Sequence, residues 1–185
     1  MRKLVVFDFD GTLSWPDTNA EFWRFSMRRS IRAWIFLPTT IIGFIMKWRD
    51  LRNLYISKRF LARHRDDFIK HHLKNRFGWA ADQVAKERAG GNFVVLVSAS
   101  PDYFIKPLVR DMKFDLVLAS VMDKARPWKL KFFCHDENKV VALRRAMGKK
   151  PFEIVRAYAD SKSDVPIMSL AIEPVWIDRD TGLRR

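Results

Sequence analysis

Short apolar runs rich in β-branched and aromatic residues recur along the chain, and each is bounded by polar or turn-forming positions. Such runs predict strands of a parallel sheet, because strands buried on both faces need apolar side chains at successive positions. The strand candidates are 2–12, with its carboxyl end at 8–10, then 92–98, 114–119, 154–159 and 174–177. Apolar positions with helical spacing predict a helix over 138–147. Ser100 as N-cap and Pro101 at the first helical position predict another helix, which runs to about Asp111.

Strands that alternate with helices predict an α/β fold, in which a Rossmann-like parallel sheet is covered by helices on both faces. The interval 14–78 departs from this alternation, since it has few turn signals and no strand pattern. We therefore expect a helical cap inserted after the first strand. The predicted organisation is an α/β core of residues 1–13 and 79–185 with a cap of residues 14–78.

Basic residues are concentrated in one part of the chain. The 185 residues include 35 Lys and Arg against 21 Asp and Glu, a formal net charge of +14. Residues 24–76 alone hold 14 basic and 3 acidic residues, whereas the rest of the chain is almost balanced. This distribution favours a localised contact with phosphate-rich material, such as an anionic membrane, a phospholipid headgroup or nucleic acid.

An uncharged segment, 33–46, lies inside this basic region. It is bounded by Arg32 on one side and by Lys47 and Arg49 on the other. A straight membrane span needs about 20 apolar residues, and Pro38 and Gly43 interrupt this shorter segment. Trp34 and Trp48 lie beside the basic residues, an arrangement typical of a segment anchored at a membrane interface. The alternative is a buried cap helix that packs over a site or against a partner.

Composition excludes several classes of protein. Hydrophobic residues make up 48% and charged residues 30% of the chain, which is typical of a globular rather than a disordered protein. The single cysteine, Cys134, excludes an intrachain disulfide and favours a reducing cytosol. The apolar run after Arg2 and Lys3 meets a charge at Asp8 and is too short for a signal peptide, so export by that route is not expected.

Two carboxylates, Asp8 and Asp10, lie where the first predicted strand ends. Positions two apart on a strand share one side, and ligands of open parallel sheets gather at the carboxyl ends of the strands. Such a pair suits a site in which one carboxylate is a nucleophile and metal ligand while the other transfers a proton. A helix cap or an ordinary turn is the alternative.

Further polar residues follow later strands or begin later helices. Ser98 ends the second strand, so its hydroxyl and the following backbone N–H groups, beginning with Ala99, are placed to hold an oxyanion such as phosphate. Lys139 begins a predicted helix and is placed to neutralise phosphate charge, with a solvated lysine as the alternative. Asp160 and Asp164 follow the fourth strand with a spacing that suits either Mg²⁺ ligands or the start of a helix.

Taken in order, these elements resemble the motifs of the haloacid dehalogenase-like phosphohydrolase superfamily. The matching residues are 8–12 (Asp-Phe-Asp-Gly-Thr), Ser98, Lys139, and Asp160 with Asp164. The resemblance extends over about 5–177, and Ala159 departs from it, since the family usually has glycine there. It implies a phosphatase with Asp8 as the nucleophile that forms an aspartyl-phosphate and Asp10 as general acid and then base.

The resemblance also implies the roles of the remaining residues. The phosphate ligands would be Ser98 and Lys139. The cofactor would be Mg²⁺, held by Asp8, the backbone carbonyl of Asp10, and Asp160, with Asp164 as a ligand or as support.

A narrower resemblance covers more of the chain. The helical insertion, the segment 97–101, the region around Lys139 and residues 158–164 are similar to bacterial phosphatidylglycerophosphatase C enzymes, which remove the terminal phosphate of phosphatidylglycerophosphate at the inner membrane. The Asp-Ser-Lys sequence at 160–162 separates the chain from phosphoserine phosphatases, which usually carry glycines there. We therefore expect a lipid phosphatase at the cytoplasmic side of the bacterial inner membrane, with an anionic membrane surface as partner.

Two alternatives stay open. One is the same chemistry on a soluble phosphomonoester, such as phosphoserine or a sugar phosphate, in the cytoplasm. The other is a basic nucleic-acid-binding module, which is less favoured because no recognised binding motif accompanies the Trp, Phe and Arg residues of the cap; no nucleic-acid partner is expected. His64, His71 and His72 are expected at solvent-facing helix positions, and His135 is assigned no role.

Overall fold

A computed structural model describes residues 1–46, 48 and 56–184, apart from the side chain of Phe44. Its strands are β1 (Arg2–Phe7), β2 (Phe93–Pro101), β3 (Leu116–Met122), β4 (Leu130–Phe132), β5 (Phe152–Ala159) and β6 (Ala171–Trp176). Within the described residues they form one sheet in the order β4-β3-β2-β1-β5-β6. Neighbouring strands are parallel except β3 and β4, which are antiparallel.

Helices occupy the intervals between the strands. They are α1 (Thr18–Arg29), α2 (Ile31–Ile35), α3 (Leu37–Ile45), α4 (Lys58–His72), α5 (Ala80–Ala89), α6 (Asp102–Leu108), α7 (Glu137–Met147) and α8 (Val165–Met168). Short 3-10 turns are formed by Leu73–Asn75, Arg110–Met112 and Lys162–Asp164. The predicted α/β fold with a mostly parallel sheet is confirmed.

Helices cover both faces of β1, the strand that ends at the predicted site. Leu4 and Val6 pack in one hydrophobic cluster, which includes residues of α7 and α8. Val5 and Phe7 point the other way, into a cluster that includes residues of α5 and α6. All four side chains are buried, which explains why β1 is an unbroken apolar run rather than an alternating one.

The end of β2 differs from the prediction. The strand continues to Pro101, and α6 begins at Asp102 with Pro101 rather than Ser100 at the N-cap position. Ser100 does not cap the helix, because its hydroxyl donates instead to Asp10 Oδ2 at 2.6 Å. The α6 helix is also shorter than predicted.

The two ends of the segment between β1 and α5 lie side by side. Ser14 and Arg76 form an antiparallel bridge there. Beside it, the backbone N–H of Trp15 donates to the carbonyl of Asn75 at 3.1 Å. The helices α1 to α4 therefore belong to an insertion whose two ends are paired.

Aromatic side chains join this insertion to the sheet and its helices. The ring centroid of Phe22, in α1, lies 5.0 Å from that of Phe68, in α4. It lies 4.4 Å from the centroid of Phe104, in α6. Burial of these three rings contributes to the position of the insertion beside α6.

The uncharged segment 33–46 is divided between α2 and α3, which are separated at Phe36. None of the helices in the described part of the chain combines the length and the hydrophobicity that crossing a membrane requires. Many apolar side chains of the segment are nonetheless exposed: Trp34, Ile35, Ile41, Ile42, Ile45 and Met46. Trp48 is exposed, whereas the flanking Lys47 and Arg49 lie outside the described residues.

Candidate active site

Asp8 follows the last residue of β1, close to the middle of the sheet. Its backbone N–H continues the pairing with β5 by donating to the carbonyl of Tyr158 at 2.9 Å, and its side chain is buried. The chain then turns at Gly11, whose φ of +82° favours glycine. The carboxylates of Asp8 and Asp10 consequently line one cavity.

Lys139 joins two of the predicted carboxylates. It lies in the first turn of α7 and is only 2% exposed. Its Nζ donates to Asp8 Oδ1 at 2.6 Å and also to Asp164 Oδ1. Burial opposes the charged form, but Asp8 and Asp164 raise the pKa of Lys139 above its ordinary value, so the side chain is a buried cation.

Asp160 follows the last residue of β5 and lies in the same group. Thr12 Oγ1 lies 3.4 Å from Asp160 Oδ1 and 3.4 Å from Asp8 Oδ2, and so contacts both carboxylates. Arg179 Nη2 donates to Asp160 Oδ2 at 2.7 Å. Burial raises the pKa of Asp160, and the Arg179 guanidinium opposes this rise.

Oxygen atoms of Asp8, Asp160 and Asp164 all lie within 4.8 Å of one another. Burial raises the pKa of Asp8 well above its ordinary value, although Lys139 acts in the opposite direction. Carboxylates held together away from water favour an additional cation, and hard oxygen donors suit Mg²⁺. The donor set therefore fits the predicted magnesium ion.

Asp10 lies beside this group, and both of its carboxylate oxygens accept hydrogen bonds. Oδ1 accepts from the backbone N–H of Thr18 at 2.7 Å and from Thr18 Oγ1 at 2.5 Å, and Oδ2 accepts from Ser100 Oγ at 2.6 Å. Burial and the Asp17 carboxylate raise the pKa of Asp10 to about 7, against the effect of these hydrogen bonds. A carboxyl group with a pKa near neutrality is suited to give and to take a proton.

Ser98 and Ala99, the predicted phosphate ligands of β2, differ in position. Ser98 is fully buried, and its Oγ accepts a hydrogen bond from the backbone N–H of Ser100 at 3.0 Å. Ala99 and Ser100 line the cavity, and Ser98 is not among the described residues that line it. Phosphate binding by Ser98 and Ala99 stays a prediction. Ser100, which the sequence pattern assigned to a helix cap, is instead a residue of the site.

The expected solvent-facing position of His72 is wrong. Its side chain is fully buried, with Nε2 lying 3.3 Å from Thr18 Oγ1 and 3.4 Å from Ser14 Oγ. Burial lowers the pKa of His72 to about 4. His71 is exposed as expected, and His64 is partly buried. The insertion therefore contributes a buried neutral imidazole close to Asp10, which sequence reasoning missed.

The site opens into a cavity of about 730 Å³. The carboxylates and Lys139 form its polar end, and His135 also lines it. Apolar side chains form much of the remaining wall: Trp23, Leu37, Ile41, Met122, Leu130 and Phe133. Ile41, which belongs to this apolar wall, is 49% exposed and lies in α3 beside the exposed Ile42 and four residues before the exposed Ile45.

Paired acids at the end of a central parallel strand, opposed by a buried lysine, are typical of an α/β enzyme that acts on an anionic group. Residues 5–169 match the family model of haloacid dehalogenase-like hydrolases. The chain therefore belongs to the haloacid dehalogenase-like hydrolase family, and the predicted resemblance is confirmed at that level.

Two relatives illustrate how far the similarity in sequence extends. A Mycobacterium tuberculosis protein described as a "probable phosphatase" is 31% identical over 114 residues, which cover 59% of this chain and 40% of the relative. Protein CicA of Caulobacter vibrioides is 25% identical over 186 residues, which cover 92% of this chain and 83% of that protein. The chain thus spans less than half the length of the first of these relatives.

Solved structures share the fold at lower identity. A Bordetella pertussis protein of unknown function has a TM-score of 0.79 and 20% identity, covering 95% of this chain and 90% of that one. A phosphoserine phosphatase in its apo form has a TM-score of 0.67 and 15% identity, covering 94% and 85%. At these identities the similarity shows the fold alone.

Proposed function

We propose that the protein is a phosphomonoester hydrolase that works through an aspartyl-phosphate on Asp8. The observation that carries the proposal is the buried contact between Asp8 Oδ1 and Lys139 Nζ at 2.6 Å. The contact lies beside two further carboxylates, those of Asp160 and Asp164. This arrangement supplies a carboxylate nucleophile and part of the positive charge that an approaching phosphate needs.

Asp8 and Asp10 have complementary roles in the proposed reaction. First, an Asp8 carboxylate oxygen attacks phosphorus, the bond from phosphorus to the leaving oxygen breaks, and Asp10 gives that oxygen a proton. Water then attacks the phosphorus of the aspartyl-phosphate, Asp10 takes a proton from this water, and phosphate leaves with the Asp8 carboxylate restored. The pKa of Asp10, raised to about 7, suits both proton transfers.

The remaining groups bind the metal and the phosphate. The proposed ligands of Mg²⁺ are Asp8, the backbone carbonyl of Asp10, and Asp160, with Asp164 as a ligand or as support. When bound, Mg²⁺ offsets charge on the phosphate and orients it for in-line attack. The groups proposed to hold phosphate oxygens are Lys139, Ser98 and the backbone N–H of Ala99.

Two substrate classes are compatible with this chemistry. The fold is shared with phosphoserine phosphatases, one with a TM-score of 0.67 and one with bound substrate at 0.57. This similarity supports a soluble phosphomonoester of the cytoplasm, such as phosphoserine, as the first candidate.

The second candidate is a phospholipid headgroup, such as that of phosphatidylglycerophosphate, at the cytoplasmic side of the bacterial inner membrane. The apolar wall of the cavity favours it, because Ile41 both lines the cavity and is exposed. Exposed apolar residues of α2 and α3 also lie close in sequence to the exposed Arg28 and Arg29. A surface that is both apolar and basic fits an anionic bilayer.

Phosphate release distinguishes these candidates. The protein would be assayed with Mg²⁺ on phosphatidylglycerophosphate in mixed micelles and on soluble monoesters, including phosphoserine. Asp8→Asn and removal of Mg²⁺ are expected to abolish release, whereas Asp180→Asn, at an exposed acid, retains it. Preferential release from the lipid supports the second candidate, and release from soluble monoesters alone supports the first. No release from any of them contradicts the proposed function.

A further inference from the structure

A network of hydrogen bonds extends outward from Asp10 into the insertion and ends at His72. Thr18 Oγ1, which donates to Asp10 Oδ1 at 2.5 Å, also lies 3.3 Å from His72 Nε2. The same Nε2 lies 3.4 Å from Ser14 Oγ, and the other ring nitrogen, Nδ1, lies 3.3 Å from Asn75 Nδ2. The imidazole thus has polar neighbours at both nitrogens although its side chain is fully buried.

The network determines which ring nitrogen of His72 carries the hydrogen. Thr18 Oγ1 donates to Asp10 Oδ1, so the hydroxyl hydrogen of Thr18 points to Asp10 and not to His72. The Ser14 hydroxyl donates to the Asn75 carbonyl at 3.2 Å, so its hydrogen is also engaged. Both hydroxyls therefore turn lone pairs toward Nε2, which must carry the hydrogen, and Nδ1 accepts from the Asn75 amide.

The imidazole is neutral in this arrangement. Burial lowers the pKa of His72 to about 4, the Glu21 carboxylate opposes this change, and His71 adds to it. Protonation would also place a second N–H, on Nδ1, against the donor amide of Asn75. The ring consequently has one N–H to give, and it is directed at Thr18 and Ser14.

We infer that His72 is a positioning residue for Asp10 and acts through Thr18. Its Nε2–H holds the Thr18 hydroxyl in the orientation in which that hydroxyl donates to Asp10 Oδ1. Oδ1 is then held by two donors of Thr18, and Oδ2, which accepts from Ser100 of the cavity wall, is the oxygen left to exchange the proton of the proposed reaction. This inference rests on the proposed phosphatase chemistry, in which Asp10 protonates the leaving oxygen.

The dependence of rate on the leaving group tests the inference. Phenyl phosphate and p-nitrophenyl phosphate have similar shapes, but p-nitrophenolate leaves readily without a proton, whereas phenolate benefits from the general acid. In His72→Phe, which keeps an aromatic ring and removes the N–H, we expect kcat/KM for phenyl phosphate to fall about tenfold more than for p-nitrophenyl phosphate. His72→Gln, whose amide supplies a donor near the position of Nε2, is expected to restore the wild-type ratio.

A purely structural role predicts a different result. Equal losses on both substrates, or the same ratio in His72→Phe and His72→Gln, would overturn the inference. Should His72→Phe fail to fold, Thr18→Val and Thr18→Ser form a second pair of variants. Only Thr18→Val loses the hydroxyl, so only this variant is expected to change the ratio of kcat/KM for the two aryl phosphates. An unchanged ratio in Thr18→Val also overturns the inference.

The tautomer of His72 is measurable without any substrate. The ¹⁵N chemical shifts of the imidazole near neutral pH are expected to show hydrogen on Nε2 and none on Nδ1. Hydrogen on Nδ1 would reverse the direction of the network and overturn the inference. A wild-type protein that releases phosphate from no monoester, aryl, soluble or lipid, contradicts the proposed function instead, and the ¹⁵N measurement still decides the arrangement of His72.

Discussion

The backbone of Gly11 lies directly against the carboxylate of Asp160. A Cβ atom at Gly11 would lie 2.3 Å from Asp160 Oδ2 and 2.5 Å from its Cγ, distances that van der Waals contact does not allow. The turn at Gly11, which brings Asp8 and Asp10 into the cavity, thus also limits where the Asp160 carboxylate can lie. Glycine is required here for its small size as well as for its φ of +82°.

Gly11→Ala is expected to displace Asp160 and lower kcat/KM at least about 100-fold, because small displacements of a reacting group have effects of this size. A higher Mg²⁺ concentration for half-maximal activity should accompany the loss. Gly91→Ala is the matched control, since Gly91 has a φ of +79° with no atom within 4 Å of the added Cβ. Similar activity in the two alanine variants would show that the contact with Asp160 is unimportant.

Removal of a proposed metal ligand should abolish stabilisation by Mg²⁺. A ligand that binds only the folded chain at 100 times its dissociation constant stabilises it by about 2.7 kcal/mol. We therefore expect saturating Mg²⁺ to raise the Tm of the wild-type protein and of Asp180→Asn, and to leave that of Asp160→Asn almost unchanged. Thermal denaturation with and without Mg²⁺ measures this. A wild-type Tm that is the same with and without Mg²⁺ argues against the metal site.

The stability of the fold should depend on pH through His72. Because burial lowers the pKa of His72 from 6.5 to about 4, the unfolded chain takes up a proton at this residue between those values while the folded chain does not. Its contribution to the free energy of unfolding therefore falls as pH decreases from 6.5 to 4, by about 3 kcal/mol in total.

Subtracting the free energy of unfolding of His72→Gln from that of the wild-type protein isolates this contribution. The subtraction is needed because the raised pKa values of Asp8, Asp10 and Asp160 affect stability in the opposite direction. Urea denaturation at pH 7 and at pH 4 measures the difference. If the two proteins differ in free energy of unfolding by the same amount at pH 7 and at pH 4, then folding does not change the pKa of His72.

The exposed apolar residues of α3 provide a test of the lipid candidate. Ile45→Glu, at a side chain 76% exposed, is expected to weaken binding to vesicles containing phosphatidylglycerol about tenfold or more, because an apolar side chain is no longer buried among headgroups. Ile172→Glu, on β6 and 68% exposed, is the matched control and should bind normally. Equal sedimentation of both variants with vesicles would remove the support for a docking role of α3.

The site residues that the sequence predicts best are those that come directly after a strand. Asp8 follows β1 and Asp160 follows β5, and the carboxyl ends of adjacent parallel strands meet at one edge. The resemblance to the haloacid dehalogenase-like family implied that Asp8 and Asp160 share one site, and the sequence pattern predicted Lys139 at the start of the helix before β5. The β4 strand was not predicted, because its three residues are too few to show a periodicity.

The surroundings of Asp10 could not be predicted in the same way. Thr18 and His72 come from helices of the insertion, and their positions depend on packing between distant side chains, such as Phe22 against Phe104. The local sequence carries one signal, since His72 lies four residues after Phe68 and three after Ile69 and so shares a helix face with these apolar side chains. Helical periodicity describes one helix at a time, whereas the burial of His72 is a property of how several elements dock.

The paired ends of the insertion, where Ser14 bridges Arg76, have an evolutionary consequence. A segment of different length or sequence could be exchanged between these two points without moving β1 relative to the rest of the sheet. Asp8, Lys139, Asp160 and Asp164 lie outside the exchanged segment and would be retained. Thr18, which donates to Asp10, and His72, which contacts Thr18, would be lost with the old segment, so each exchange would require new hydrogen-bond donors for Asp10.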